Sequence, residues 1–141
     1  MENGFHGAKA AVFIGECLLV YQRDRNVRWP GYWDFPGGGR EGTETPIACL
    51  RREIREEFGL DVPETAITWG TTVPSMINAK QRAWFFVVQL PPEFETSVKF
   101  GVEGQRWALM TVQDVANLPN LVPALRPRLR LWLQASGADH I

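Results

Sequence analysis

Hydrophobic residues along this chain follow the period of strands in some segments and that of a helix in others. Two apolar runs, Ala8–Ile14 and Cys17–Tyr21, are separated only by Gly15-Glu16, which predicts a β-hairpin with a short turn. Further strands are predicted at Trp33–Phe35, Ile67–Val73, Ala83–Leu90 and Arg106–Met110. The segment Pro36–Gly39 is predicted to be a loop, because its three glycines permit backbone conformations closed to other residues.

The best-marked helix is predicted to begin after Thr45. This side chain can accept a hydrogen bond from the free N–H groups of a first turn, and Pro46 follows where proline costs no hydrogen bond. Gly59 is a suitable C-terminal stop. Between these limits, apolar residues recur at near-helical spacing and predict a buried stripe of Ile47, Leu50, Ile54 and Phe58.

Two more helices are predicted toward the C-terminus. Thr111–Asp114 has a weak capping-box pattern and opens a short helix. Leu121–Gln134 is amphipathic, with Pro127 in its first turn or at a kink. Strand pairs that bracket an early and a late helix favour an α/β protein whose sheet packs between helices.

Composition and charge narrow the class of protein. The 141 residues fit a single domain, residues 1–141, and 45% hydrophobic with 22% charged residues is ordinary for a globular protein. A formal net charge of −1 gives no overall field that would draw the chain to duplex nucleic acid or to a membrane. No apolar run reaches about 18 residues, and no apolar core of a signal peptide is seen, so we expect a cytoplasmic protein. Cys17 and Cys49 are expected to be buried thiols.

Three glutamates, Glu53, Glu56 and Glu57, fall on one side of the first predicted helix. Residues three and four apart on a helix are surface neighbours, and like charges at that spacing cost roughly a few tenths of a kcal/mol per pair. Such a cluster indicates a counter-charge, and hard oxygen ligands suit Mg²⁺, Ca²⁺ or Mn²⁺. The alternative is a solvated helix face with neighbouring arginines as ion-pair partners, which the residue types alone favour.

The segment 38–60 resembles the Nudix box, whose pattern is G-x5-E-x7-R-E-U-x-E-E-x-G-U with U an aliphatic residue. All nine fixed positions match, namely Gly38, Glu44, Arg52, Glu53, Ile54, Glu56, Glu57, Gly59 and Leu60. The preceding WDFPGG resembles the lead-in strand of MutT-like members. This resemblance implies a Nudix α/β/α sandwich with a mixed β-sheet between helices. It also implies hydrolysis of a nucleoside diphosphate linked to another moiety, most closely by a MutT-like (d)NTP pyrophosphohydrolase that uses Mg²⁺, with Mn²⁺ as a substitute.

The resemblance also implies roles for individual residues. The implied metal ligands are Glu53, Glu56, Glu57, Glu103 and a backbone carbonyl of Gly37 or Gly38. Glu93 and Glu95 are weaker alternatives to Glu103. Arg52 would hold the carboxylates in place, and Glu53 or Glu56 would accept the proton of the attacking water, with the choice between them open. Glu44 would tie the preceding loop to the helix.

Residues outside this carboxylate group are implied to bind the substrate. They are Arg23, Asp34, Phe35, Gly39 and Asn120. For Arg23 a surface charge is an equal alternative to a phosphate contact, and for Phe35 a core position is favoured over base stacking. Trp29 and Trp33 could stack on a base, with half-buried packing as the default.

Other charged residues are expected to take no part in the chemistry. Arg126, Arg128 and Arg130 cannot share one helical face, which favours solvated charges over a phosphate-binding patch. His6 and His140 lie near the ends of the sequence, and no role is expected for either.

Several substrates and one non-enzymatic function stay open. ADP-ribose, nucleotide sugars and dinucleoside polyphosphates are alternative substrates, and a non-catalytic nucleotide-binding regulator is the alternative from another class. All box glutamates are present and no length is left for a DNA-binding module, which favours the enzyme. The expected partner is a nucleotide-like small molecule. The oligomeric state, including a homodimer, is left open.

Overall fold

A seven-stranded mixed sheet forms the centre of the computed structural model, which describes residues 4–137. The predicted hairpin is present as β1 (Gly7–Ile14) and β2 (Cys17–Gln22). The other elements are β3 (Trp33–Asp34), β4 (Gly37–Gly39), α1 (Pro46–Phe58), β5 (Ile67–Pro74), β6 (Arg82–Leu90), β7 (Arg106–Met110), α2 (Val112–Ala116) and α3 (Leu125–Ala135). Two short 3₁₀ helices, Glu64–Ala66 and Pro92–Ser97, complete the described chain.

Strand β1 lies in the middle of this sheet. The main strand order is β3-β2-β1-β6-β5, with β4 paired to β1 and β7 paired to β2. The β1–β6 pairing is parallel, whereas β1 pairs with both β2 and β4 in antiparallel fashion. Helix α1 and helix α3 cover opposite faces, because alternate residues of β1 belong to two separate hydrophobic clusters, one packed on each helix. The predicted α/β/α arrangement with a mixed sheet is therefore confirmed.

Helix α1 begins and ends where the sequence predicts. The Thr45 hydroxyl accepts a hydrogen bond from the Ala48 N–H at 3.2 Å, and Pro46 occupies the first turn. Gly59 ends the helix with φ 66°, a left-handed conformation that glycine adopts without a steric cost. Leu50, Ile54 and Phe58 are fully buried, so the apolar stripe faces the sheet and leaves the glutamates off it.

The prediction that residues 36–39 form a loop is wrong. Residues 37–39 form strand β4, which pairs with Gly7, Ala8 and Lys9 of β1. Glycine makes this pairing possible because the backbones approach closely: a Cβ on Gly38 would lie 2.6 Å from the Glu53 carboxyl carbon. Sequence patterns assign three glycines to a loop, whereas here the absence of side chains lets the strand fit between β1 and α1.

The last helix is shorter than predicted. Helix α3 begins at Leu125 and not at Leu121, because Leu121 forms an isolated parallel bridge with Trp33 and the Val122 N–H donates to the Trp33 carbonyl at 3.0 Å. Pro127 lies in the first turn, where its missing N–H costs no helical hydrogen bond. These contacts place the start of α3 beside strand β3.

Candidate active site

A pocket of about 440 Å³ is lined by most of the residues to which the Nudix resemblance assigns a role. It is lined by Glu53, Glu56 and Glu57 of α1. It is also lined by the predicted residues Arg23, Gly37, Gly38, Gly39 and Glu103. Parts of the chain more than sixty residues apart therefore meet around one cleft, since β4 and α1 both pack against β1 and the start of β7 pairs with the end of β2.

The box carboxylates differ in their surroundings. A Glu57 oxygen accepts a hydrogen bond from the Gly37 N–H at 2.9 Å, yet burial raises the pKa of this carboxyl group to about 8. Burial also raises the pKa of Glu53, against the opposing effect of Arg52. Glu56 is exposed, with 57% of its side chain accessible. Two carboxylates held away from water in this way would gain from a nearby cation.

Arg52 connects the carboxylates to the preceding loop. Its guanidinium binds both oxygens of Glu44, with Nε at 2.6 Å and Nη2 at 3.1 Å, and Nη2 also donates to the Gly39 carbonyl at 2.8 Å. Its Nη1 donates to Glu53 at 3.0 Å and to Glu56 at 3.1 Å. The Arg52 bond holds the pKa of Glu44 below its usual range. One arginine therefore fixes the geometry of the loop, the helix and two of the three glutamates.

The oxygen donors of the pocket fit a hard divalent cation, but they do not form a closed cage. Within residues 4–137, no three Asp, Glu, His or Cys side chains converge tightly enough to hold an ion among them. Glu53 and Glu56 are turned toward Arg52 Nη1, which satisfies them electrostatically. The donor chemistry therefore suits Mg²⁺ or Mn²⁺, and binding of the ion would require Arg52 and the ion to share these carboxylates.

Asp34 lies beneath the pocket and does not line it. Its fully buried carboxylate accepts from Lys9 Nζ at 3.2 Å, Arg23 Nη1 at 2.8 Å and the Tyr21 hydroxyl at 3.3 Å. A fourth bond comes from the Phe35 N–H at 2.8 Å. Burial raises the pKa of Tyr21, so its hydroxyl stays a donor. Asp34 thereby positions Arg23, which does reach the pocket.

Two other residues implied in substrate binding also lie outside the pocket lining. Phe35 is fully buried and stacks on Phe85 in the core, with ring centroids 6.4 Å apart. The Asn120 amide donates to the Gly31 carbonyl at 3.3 Å, and its backbone carbonyl accepts from the Trp33 N–H. Of the two tryptophans, Trp29 lines the pocket, whereas Trp33 is buried.

The loop that carries Glu103 is tied to the loop that carries Arg23. The Gly104 N–H donates to an Asp24 carboxylate oxygen at 3.0 Å, and the Gln105 amide donates to the Arg23 carbonyl at 2.8 Å. Glu103 itself lines the pocket. The weaker alternatives, Glu93 and Glu95, lie in a 3₁₀ helix and do not.

Sequence reasoning missed residues on the far side of the pocket. Arg128, which was expected to be solvated, is only 4% exposed and lines the pocket, so that expectation is wrong. Its spacing was an available signal, since it lies three residues after Leu125 and four before Trp132, both packed on the core. His6 and Ser75 also line the pocket, and no local pattern indicates that. His140 lies outside the described residues.

Replacing Gly38 by Ala is expected to lower turnover at least 10-fold with little loss of stability. A Cβ at this position would lie 2.6 to 2.7 Å from the carboxyl atoms of Glu53, which would have to move while Arg52 still holds it. Misplacing a reacting group by about 1 Å costs on the order of 100-fold in rate. The comparison variant is Gly39→Ala, because nothing lies within 4 Å of that Cβ, so a loss of activity there would come from the pocket surface and not from displacement of Glu53. Equal activities of the two variants in a steady-state assay would contradict the assigned role of Glu53.

A family model described as NUDIX domain matches residues 6–132. The chain belongs to the Nudix family. Nudix proteins generally use divalent metal ions. None of the helices in the described part of this Nudix chain is both long and apolar enough to cross a membrane.

Curated relatives match over part of their length. The RNA pyrophosphohydrolase of Aeromonas hydrophila is 29% identical over 109 residues, which cover 62% of this chain and 61% of that protein. The 8-oxo-dGTP diphosphatase of Proteus vulgaris is 40% identical over 50 residues, or 36% of this chain and 45% of the relative. The chain thus spans less than two thirds of the length of these relatives.

Solved structures confirm the Nudix fold. The MutT protein of Methanosarcina mazei Go1 superposes with a TM-score of 0.73 at 18% identity, over 96% of this chain and 98% of that one. A C. elegans Ap4A hydrolase gives a TM-score of 0.66 at 17% identity, over 92% of this chain and 98% of that one. A third structure, solved with AMP and a Mn ion, is a bifunctional NMN adenylyltransferase/ADP ribose pyrophosphatase of Francisella tularensis. It gives a TM-score of 0.69 at 18% identity, over 93% of this chain and 42% of that one.

Proposed function

We propose that the protein is a Mg²⁺-dependent Nudix hydrolase that cleaves a phosphoric anhydride bond of a nucleoside diphosphate linked to another moiety. The leading substrate class is a nucleoside or deoxynucleoside triphosphate, as for a MutT-like pyrophosphohydrolase. The observation that carries the proposal is the meeting of Glu53, Glu56 and Glu57 with Arg23 and Glu103 in one pocket of a Nudix chain. Mn²⁺ is expected to substitute for Mg²⁺.

The residues that would hold the metal are the three box glutamates, Glu103 and one backbone carbonyl. When bound, Mg²⁺ would neutralise phosphate oxygens and lower the pKa of a water molecule. Gly38 is the better carbonyl ligand, because the Gly37 carbonyl lies 3.5 Å from the Lys9 ammonium group, which disfavours a second cation there. The Gly38 carbonyl is approached by the Cys49 thiol at 3.8 Å, a weak donor.

The other residues bind the substrate and handle the proton. Arg23 is anchored by Asp34 and by the Arg28 carbonyl, which fixes its guanidinium for a substrate phosphate. Glu53 or Glu56 accepts the proton of the attacking water, and Arg52 keeps both carboxylates oriented for it. Trp29, which has a left-handed φ of 50° and lies beside the Arg23 and Arg28 guanidinium groups, offers an aromatic surface to the substrate.

A nucleotide panel tests this function. We expect release of pyrophosphate or phosphate from at least one nucleotide with Mg²⁺ or Mn²⁺, and none after chelation of the metal. The panel includes the eight common NTPs and dNTPs together with ADP-ribose, a nucleotide sugar and a dinucleoside polyphosphate, so that it also separates the substrate classes. Absence of turnover of every substrate by a protein that melts cooperatively would contradict the enzyme and favour a nucleotide-binding regulator.

A further inference from the structure

Arg128 is a buried cation with few partners. Its Nη2 donates to the Pro74 carbonyl at 2.8 Å, which is its one hydrogen bond among the described residues, and the Asp34 carboxylate attracts its charge without forming an ion pair with it. A guanidinium carries five N–H donors, and no buried side-chain nitrogen or oxygen of the described residues lacks a partner, so the other Arg128 donors face the open space of the pocket. Burial lowers the pKa of Arg128 to about 10, so the group is still cationic at neutral pH. Because it lines the pocket, its remaining donors are available to a ligand there.

A second donor lies in the same part of the pocket. The Ser75 oxygen accepts from the Ile77 N–H at 3.2 Å and the Asn78 N–H at 3.4 Å. With both acceptor positions used, its hydroxyl donates to His6 Nδ1, which lies 2.8 Å away. In the tautomer that accepts this bond at Nδ1, the imidazole proton is on Nε2, and His6 is a donor at that atom. His6 and Ser75 both line the pocket, as Arg128 does.

The distance from these donors to the carboxylates is similar to the distance between the anhydride bond and the base of a nucleotide. Strands β4, β1, β6 and β5 lie side by side in that order, with Gly38 on β4 and Pro74 at the end of β5. Three spacings between neighbouring strands make roughly 14 Å. An anhydride bond held near Glu53 would therefore leave a base, extended away from it, near Arg128. The pocket wall there is largely apolar, with Met76, Ile77 and Ala83.

We propose that Arg128, assisted by His6, reads the base of the nucleotide and selects an edge that presents hydrogen-bond acceptors, so that guanine is preferred over adenine. This inference rests on the proposed function, which supplies the nucleotide. Guanine presents the adjacent acceptors O6 and N7, to which a guanidinium can bind with two parallel N–H groups, whereas adenine presents N7 beside an amino donor. A bidentate pair of this kind discriminates roughly 10- to 100-fold.

The same geometry distinguishes guanine from its oxidised form. In 8-oxoguanine N7 carries a hydrogen, so one of the two acceptors that Arg128 would use becomes a donor. An N–H facing another N–H leaves both unpaired in a desolvated site, which is unfavourable. Arg128 is therefore expected to favour unmodified guanine nucleotides over 8-oxoguanine nucleotides.

Calorimetric titration with nucleoside monophosphates tests the inference without turnover. The wild-type protein is expected to bind GMP and IMP at least 10-fold more tightly than AMP, 7-deaza-GMP or 8-oxo-GMP. In Arg128→Met, which has a similar length and no donors, GMP and AMP are expected to bind equally. Arg130→Met, on the same helix but outside the pocket lining, should keep the wild-type preference. If Arg128→Met does not fold, Arg128→Lys, which keeps a charge but loses the two-pronged geometry, is expected to reduce the preference.

Two results would overturn the inference. One is a wild-type protein that binds all five monophosphates equally. The other is an Arg128 variant that weakens GMP and AMP by the same factor, which would assign the residue to the phosphate, the ribose or the packing of α3. Hydrolysis without base preference would leave the proposed function in place and remove this inference. Base preference in binding without hydrolysis of any substrate would support this inference and contradict the proposed function.

Discussion

The Glu56→Gln variant is expected to lose on the order of 100-fold or more in kcat while it folds normally. Glutamine keeps the size of the side chain but removes the negative charge that would bind the metal or accept the proton of water. Glu53→Gln is expected to behave in the same way, since both carboxylates share Arg52 Nη1 and line the pocket. Steady-state rates at saturating Mg²⁺ measure the effect.

Thermal unfolding without metal separates catalysis from folding in these variants. Removing one charge relieves like-charge repulsion along α1 but also removes an ion pair with Arg52, so the melting temperature is expected to change little. Glu64→Gln makes the same chemical change outside the pocket and should keep full activity, because Glu64 has only a 3.9 Å contact with Arg51. Wild-type turnover in both Glu53→Gln and Glu56→Gln would remove these carboxylates from the proposed mechanism.

Replacing Asp34 by Ala is expected to cost about 3–5 kcal/mol in the free energy of unfolding. The substitution would leave the ammonium group of Lys9, which is 8% exposed, without its buried counter-ion, and would free Arg23 and the Tyr21 hydroxyl. Removal of one partner from a buried ion pair is costly because the other charge stays buried. Urea denaturation followed by tryptophan fluorescence measures the change.

Two further variants identify the cause of that loss. Asp61→Ala removes an exposed carboxylate that ion-pairs with Arg55 at 2.7 Å, and it should change stability little because water screens the pair. Adding Lys9→Met to Asp34→Ala removes the stranded charge and is expected to restore part of the stability. If Asp34→Ala were as stable as Asp61→Ala, the buried network would not stabilise the fold.

Local signals in the sequence were sufficient for most of the elements. The hairpin of β1 and β2 follows from two apolar runs around Gly15-Glu16, and α1 follows from Thr45, Pro46 and Gly59, whose effects act within one turn. Strand β4 was missed because its pairing depends on space between β1 and α1, which only the tertiary structure defines. Strand propensity describes how side chains pack, so three glycines carry no such signal.

The residues of the candidate site also fall into two groups, those that local sequence patterns predict and those that only the tertiary structure brings together. Residues at fixed spacing on α1 could be assigned by position, because a helix presents them together. Arg128 and Ser75 could not be assigned to the pocket, although the spacing of Arg128 on α3 indicated burial, because they enter the pocket only when α3 and the end of β5 meet. Asp34 and Phe35 were adjacent to the box in sequence, but both are fully buried and lie behind the pocket surface.

The central place of β1 has a consequence for motion. This strand contacts β2, β4, β6 and α1, and its residues belong to both hydrophobic clusters, so it can separate from its neighbours only when the whole domain unfolds. The β1 residues that pair with β4, namely Gly7, Ala8 and Lys9, are therefore expected to be a rigid part of the pocket wall. Slow hydrogen exchange of the β1 amides would be the corresponding measurement. Any opening of the cleft for a ligand would therefore involve its rim, the loops 23–32, 75–81 and 99–105 that lie between the strands.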